Sequence, residues 1–284
     1  MRRSLALPRF AAWLLALGAV PALAATALPA TPAALAEAMA GRRIVLLGEV
    51  HDNGAQHALR LAALKIAVAQ GARPALAFEQ FDRERQADID RARRDRPRDA
   101  DHVIREAKGS PNWNWEHYRP FVQLALDHDL PIVAANLSRA DAMTIAQRTA
   151  PATAMKLPDA VVRAHEDAIA KGHCNLLPAE ALPGMARAQI ARDRALAESI
   201  RPLAARGVVL LTGNGHARID IGVPFWLTRD ERAASVAIGL LERDESASVE
   251  ESPATFDAYA ITERAERPDP CDDLRRRRSP PKAG

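Results

Sequence analysis

Four short apolar runs set the folding problem for this chain: Arg43 to Gly48 (RIVLLG), Pro74 to Glu79 (PALAFE), Pro131 to Ala135 (PIVAA) and Gly207 to Thr212 (GVVLLT). A strand with one wet face alternates apolar and polar residues. These runs do not alternate, so both of their faces must be covered. Helical stretches lie between them. Asn53 to Gln70 carries a wide apolar face interrupted by Gln56, His57, Arg60 and Lys65, and Tyr118 to Asp127 and Met185 to Ala205 precede the third and fourth runs. Strands alternating with helices predict an α/β fold: a mainly parallel sheet flanked by helices. Ala234 to Leu240 and Thr255 to Ile261 have no clear helix between them, which predicts an antiparallel pair at one edge.

From Ser138 to Ala205 the pattern is mostly helical, broken by Pro151, Pro158, Pro178 and Pro183. That is too long for a simple crossover and reads as a helical insertion, about 138–205, folding over the sheet edge as a lid. The stretch from Arg83 to Asp101 mixes charges of both signs and reads as a solvated helix face. No low-complexity linker divides the chain, so residues 25–274 are expected to form a single domain.

The ends differ from this body. Residues 1–24 have the pattern of a cleaved secretory signal: Arg2 and Arg3, an apolar run from Phe10 to Val20, then Ala22-Leu23-Ala24. The run is short for a bilayer span, so no transmembrane segment is expected after cleavage, and the expected location is periplasmic or secreted. Residues 275–284 hold Arg275 to Arg278 and Lys282 with no apolar periodicity and are expected to be a disordered basic tail. Of 39 Lys and Arg, three lie in the signal and five in this tail, and the remaining 31 face 36 Asp and Glu. A body of net −5 is not a nucleic-acid binder by charge. The only cysteines, Cys174 and Cys271, are expected to pair in an oxidising compartment. Closing so long a loop adds about 4 kcal/mol in the chain-entropy account.

Two segments echo one another: Leu46-Leu47-Gly48-Glu49-Val50-His51 and Leu211-Thr212-Gly213-Asn214-Gly215-His216. Each is a strand, a glycine, and a histidine three residues on. In a parallel sheet this places the histidines beyond the carboxyl ends of the strands, where ligands bind. Glu79 and Asn136 follow two other strands, so Glu49, His51, Glu79, Asn136, Asn214 and His216 are expected on one rim. Gathering Glu49 and Glu79 there costs desolvation and repulsion unless a metal, another cation or a shared proton relieves it. A mixed His/Glu set suits a divalent metal ion such as zinc, manganese or iron, with one glutamate as general base to a metal-activated water.

Gly48 to Asn53 (GEVHDN) with His57, Phe78 to Phe81 (FEQF), Trp115 to Pro120 (WEHYRP), Ala135 to Arg139 (ANLSR), Gln189 to Asp193 (QIARD) and Gly213 to Pro224 (GNGHARIDIGVP) together resemble the ChaN family. That family falls within the Tiki, TraB and erythromycin-esterase-like superfamily. The resemblance implies an α/β core under a helical lid, and haem as the cofactor or cargo in iron uptake. Many members are lipoproteins, whereas this chain has no cysteine at its cleavage site. The Tiki branch implies a different chemistry, a metal-dependent hydrolase with Glu49, His51, Glu79 and His216 as metal ligands and Glu49, Glu79 and His216 as its catalytic set.

Haem requires an axial ligand, an apolar slot and cations for its propionates. Tyr118, Tyr259, His51, His57 and His216 are the candidate ligands, and Arg139, Arg218 and Lys171 the candidate propionate partners. Trp113 and Trp115 could line the slot. Gln189 and Asp193, four apart on one helical face, are placed to orient a ligand or a histidine. A homodimer sharing one haem between two copies is compatible with this pattern.

Overall fold

The computed structural model describes residues 24–148, 157–243 and 252–278. The four apolar runs form strands β2 (Ile44–Leu47), β3 (Ala75–Asp82), β4 (Ile132–Asn136) and β5 (Val208–Leu211). Three more complete a seven-stranded sheet: β1 (Thr26–Leu28), β6 (Ser235–Glu242) and β7 (Ala258–Thr262). The order is β1-β7-β6-β2-β5-β3-β4, and every pairing is parallel.

Because side chains alternate along each strand, the sheet has two apolar faces. Val45, Leu47, Leu76, Phe78, Val209, Leu211, Ile238 and Leu240 meet helices α1 (Pro32–Met39), α2 (Gly54–Ala69), α3 (Gln86–Asp95), α4 (Ala100–Glu106) and α5 (Trp115–Asp127). Ile44, Leu46, Ala75, Ala77, Val208 and Leu210 face the other way. They meet Leu196, Ala197 and Ile200 of α8 (Leu182–Ile200). Covering on both sides is why the strands read as continuous apolar runs.

Helices α6 (Arg139–Gln147), α7 (Asp159–Gly172) and α8 occupy the stretch expected to be a helical insertion. Half of α8 is an ordinary crossover helix on the sheet, and α6 and α7 pack on it. The charged stretch after β3 forms α3 and α4, which still bury Ile89, Ala92, Ala100 and Val103.

Two expectations need correction. The 234–240 and 255–261 segments pair in parallel, with Ile238 opposite Ala258. Just before β7 the chain lies on the α8 face: Phe256 is fully buried there, and Asp257 ties back to Ala237 through both its backbone N–H and its carboxylate. The missing helical signal between the two strands does not by itself imply a hairpin, so the antiparallel pairing was the wrong inference. At the C-terminus, Pro270–Arg278 form a helix, so Arg275 to Arg278 are helical where disorder was expected. Residues 279–284 of that tail, and residues 1–23 of the expected signal, lie outside the described residues. Cys174 and Cys271 form a disulfide across 97 residues of sequence. Strand β1 had no sequence signal; three residues at an edge are too few to show a period.

Gly239 marks where the return segment presses on the sheet. A Cβ there would lie 2.8 Å from the Phe256 ring. Gly239→Ala is therefore expected to lower stability by about 1–3 kcal/mol through overpacking. Urea unfolding checks it, and Gly239→Ala should cost less in a Phe256→Leu background if the ring is the cause.

Candidate functional site

All strands run the same way, so the loops after β2, β3, β4 and β5 emerge at one edge. Short range geometry there is set by close approach rather than by unusual dihedrals. Asn214, in the short helix α9 (Asn214–Ala217), donates to Leu240 O at 2.7 Å and accepts from Leu240 N at 3.1 Å, locking the β5 loop to β6. A Cβ on Gly48 would collide with the Asn214 carboxamide, and one on Gly213 would lie 2.7 Å from the His51 ring. The two glycines of the repeated motif thus make room for each other's loops.

Glu49 is buried at 2% exposure and gathers one half of the rim. Its Oε1 accepts from the Tyr118 hydroxyl at 2.6 Å and lies 3.0 Å from His51 Nδ1. Its Oε2 forms an ion pair with Arg60, which is fully buried, donates to Leu47 O at 3.0 Å and lies over the Phe121 ring. Burial is the largest influence and opposes the charge on Glu49, but Arg60, His51 and His57 together outweigh it and hold the carboxyl below its ordinary range. His57 is buried too, with Nε2 on His51 O at 3.0 Å and Nδ1 on Arg60 at 3.2 Å. Burial pushes it down to about 4, so it is a neutral prop that donates to the His51 backbone. Burial first, and then the charge of Glu49, push the Tyr118 phenol well above its ordinary pKa.

Glu79 gathers the other half. Its Oε2 accepts from the Thr212 hydroxyl at 2.7 Å and Gly213 N at 2.9 Å, while Oε1 faces His216 Nε2 at 3.5 Å. His216 Nδ1 in turn bonds Asp193 of α8 at 2.6 Å. Burial works against a charged His216, yet Glu79 and Asp193 flank it and push it up to about 10. Burial raises Asp193 to about 6. Glu79 falls well below the carboxylate range because His216, aided by His51 and Thr212, overcomes its desolvation. His165 of α7 stands behind, bonded to Ile221 O at 3.1 Å and 3.9 Å from Asp193.

Each glutamate therefore has its own counter-ion, Arg60 for Glu49 and His216 for Glu79, and the anticipated repulsion is met without a bound cation. Among the described residues, no group of three or more His, Cys, Asp or Glu side chains is arranged to hold a metal ion. His51 stands apart. Its side chain is 47% exposed, its Nδ1 is held by Glu49, and Trp113 meets its ring edge-on at 4.9 Å. Desolvation lowers its pKa, but the Glu49 hydrogen bond and the charge of Glu79 prevail and raise it. A carboxylate at one imidazole nitrogen orients the ring and raises the basicity of the other nitrogen.

The remaining residues read from sequence are distributed as follows. Asn136 is spent internally, donating to Glu79 O and accepting from Arg192, both at 2.9 Å. Gln189 is exposed one turn along α8 from Asp193. Arg139 is exposed at the start of α6, Lys171 is exposed at the end of α7, and Arg218 pairs with Asp220. Tyr259 packs against the apolar cluster on the α8 face of the sheet. Arg60, Thr212 and His165 were not singled out from sequence. Arg60 did leave a signal: Gln56, His57 and Arg60 interrupt an otherwise apolar helix within one turn, and all three are buried.

A parallel sheet covered on both faces, with two Gly-x-x-His loops meeting at its carboxyl rim, defines an α/β domain whose polar residues gather at that edge. The chain belongs to the family described as haem-binding uptake, Tiki superfamily, ChaN, whose model matches residues 35–227. Among solved structures it is similar to ChaN of Campylobacter jejuni, described as showing cofacial heme binding, with TM-score 0.66 and 22% identity over 78% of this chain and 88% of that one. The type III effector HopBA1 matches with TM-score 0.48 and 12% identity over 87% of this chain and 100% of that one. A mutant of erythromycin esterase EreC in its open conformation matches with TM-score 0.44 and 12% identity, covering 78% and 76%. At these identities the structural likenesses concern the fold. No curated protein matches the chain.

Two outcomes follow from the rim's charge pairing. Arg60→Met leaves Glu49 buried without its counter-charge and should cost about 3–5 kcal/mol in urea unfolding. His216, raised from 6.5 to about 10, contributes stability that is complete below pH 6.5 and lost as pH rises through about 10. The urea midpoint should fall between about pH 7 and pH 10 in the wild type, and less steeply in His216→Gln.

Proposed function

We propose that this protein is an exported haem-binding protein of the iron-uptake type that takes haem as cargo at the carboxyl rim of its sheet, with His51 as the axial ligand. The observation that carries the reading is the half-exposed His51 imidazole held through Nδ1 by buried Glu49. That hydrogen bond occupies Nδ1 and leaves Nε2 as the ligating nitrogen. Trp113, edge-on to the ring, supplies apolar surface beside it. Tyr118 is the weaker ligand, since its hydroxyl is buried and committed to Glu49. Membership of the ChaN family supports haem as the cargo. Bound there, haem would present its iron to Nε2, while Glu49 holds the ring and Arg60 keeps Glu49 ionised. Arg139, Lys171 and Arg218 are the cations we assign to the propionates.

Export is read from residues 1–24. The Cys174–Cys271 disulfide suits an oxidising compartment, and among the described residues no helix is long and apolar enough to cross a membrane. The reading as a metal-dependent hydrolase keeps one supporting observation, the 2.6 Å His216–Asp193 pair, which could serve acid–base chemistry.

Haemin titration of the protein from residue 25 tests the assignment. Saturable binding with a shifted Soret band is expected for the wild type and for Tyr118→Phe, and its loss for His51→Ala. Retention in His51→Ala with loss in Tyr118→Phe would overturn the choice of ligand. Absence of saturable binding, with metal-dependent ester or peptide cleavage abolished by Glu79→Gln, would replace the carrier by the hydrolase.

A further inference from the structure

The loop that carries His51 is fastened at both ends to one strand. At its start, Gly48 N donates to Ile238 O of β6 at 2.8 Å. At its end, Asn53 Nδ2 donates at 2.7 Å to Oε1 of Glu242, the last residue of the same strand. Every residue of β6 before Glu242 is buried, so the strand is a rigid reference for the loop. Asn53 makes the second attachment with one carboxamide, itself 1% exposed. Its Oδ1 accepts from Gln56 N at 3.1 Å and caps α2, while Nδ2 serves Glu242 and also Glu263 O at 3.0 Å. Fully buried Gln56 accepts from Val50 N at 2.7 Å and donates to the Thr262 hydroxyl at the end of β7 at 2.9 Å. Glu242 is the hub of these contacts. Besides Asn53, its Oε1 accepts from Ala265 N and Arg267 Nη1, both at 3.0 Å, and its Oε2 forms an ion pair with Arg267. Arg267 also reaches Asp52, the neighbour of His51, at 2.9 Å. Residues 263–267 thus form a strap, and one carboxylate joins strap and loop to β6.

We infer that Glu242 is a positioning residue for His51: by pinning Asn53 and the strap to the end of β6, it sets where the imidazole stands on the rim. The carboxylate acts through Asn53 and, by way of Arg267, through Asp52, rather than on the imidazole itself. A binding group has to be held within about 0.5 Å of its productive place. Held only by Gln56 and His57, the loop would follow every movement of α2. Held also by Glu242, it keeps its place relative to the sheet, and with it the distance from His51 Nδ1 to buried Glu49. Glu242 and Thr262 both lie beyond residues 35–227, the part of the chain that the family model matches. That Glu242 fixes the loop stands on these hydrogen bonds; that the fixed imidazole takes haem rests on the function proposed above.

The test compares Glu242→Ala with Glu242→Gln in the protein from residue 25. Glutamine keeps an oxygen for Asn53 Nδ2 and Ala265 N; alanine keeps none. In the ligand-free protein, hydrogen exchange at residues 50–56 should quicken about tenfold in Glu242→Ala and stay near wild type in Glu242→Gln, with β2 and β5 protected in both. Haemin should bind about tenfold more weakly to Glu242→Ala, with a Soret band shifted toward that of His51→Ala, and added imidazole should restore the wild-type band. Glu242→Gln should keep the wild-type band and affinity. Asn53→Ser keeps a capping oxygen but has no donor to reach Glu242, so it should behave as Glu242→Ala and replaces it if alanine prevents folding. Wild-type exchange at residues 50–56 in Glu242→Ala overturns the positioning role. Loss of protection in β2 and β5 does so too, since Glu242 would then support the sheet as a whole. A loosened loop with an unchanged haemin band and affinity overturns it as well. Faster loop exchange in Glu242→Ala, with no saturable haemin binding by the wild type, would keep Glu242 as the anchor of the loop and remove the haem reading.

Discussion

The ion pair between Glu49 and Arg60 is the constraint around which the site is arranged. Both groups are fully enclosed, and a carboxylate in that position is tolerable only because a guanidinium, a phenol and an imidazole surround it. Arg60 comes from α2, Tyr118 from α5 and His51 from the β2 loop, so one buried charge fixes the relative positions of three elements. The exposed His51 is the outermost member of that cluster. Its orientation is inherited from groups buried behind it.

The second carboxylate shows the same principle with a different partner. Glu79 is held by Thr212 and the Gly213 N–H from the β5 loop and neutralised by His216, which Asp193 steadies from α8. The helical layer is therefore coupled electrostatically to the sheet edge. The disulfide couples it again, covalently, from the opposite end of the chain. Sheet, lid and C-terminal strap all meet at a rim whose polar atoms are mostly committed to one another, and His51 is the main group left facing outward.

Much of this was legible in the residues. The apolar runs without alternation required a sheet covered on both faces, and the repeated Gly-x-x-His spacing put two loops at one edge. Glu49, His51, Glu79 and His216 do converge there, along with Asp193 from the lid. Arg60 was visible only as an interruption of an apolar helix, because sequence shows that a charge is buried before it shows what neutralises it. The β6–β7 pairing went astray for a related reason: the return segment has no period, and the direction of a strand is not encoded in its composition.

Sequence by itself determined which segments become strands, that both sheet faces are apolar, and which polar residues lie just past strand ends, because these depend on local periodicity and chain direction. Tertiary structure alone decided which of those polar residues are spent on each other and which remain available. Tyr118, His57, Asn136 and Asn214 looked like ligand groups, yet each is buried and hydrogen-bonded within the protein. Availability is a matter of burial and partner geometry between elements distant in sequence, such as the 69 residues that separate Tyr118 from Glu49. No local pattern carries that information.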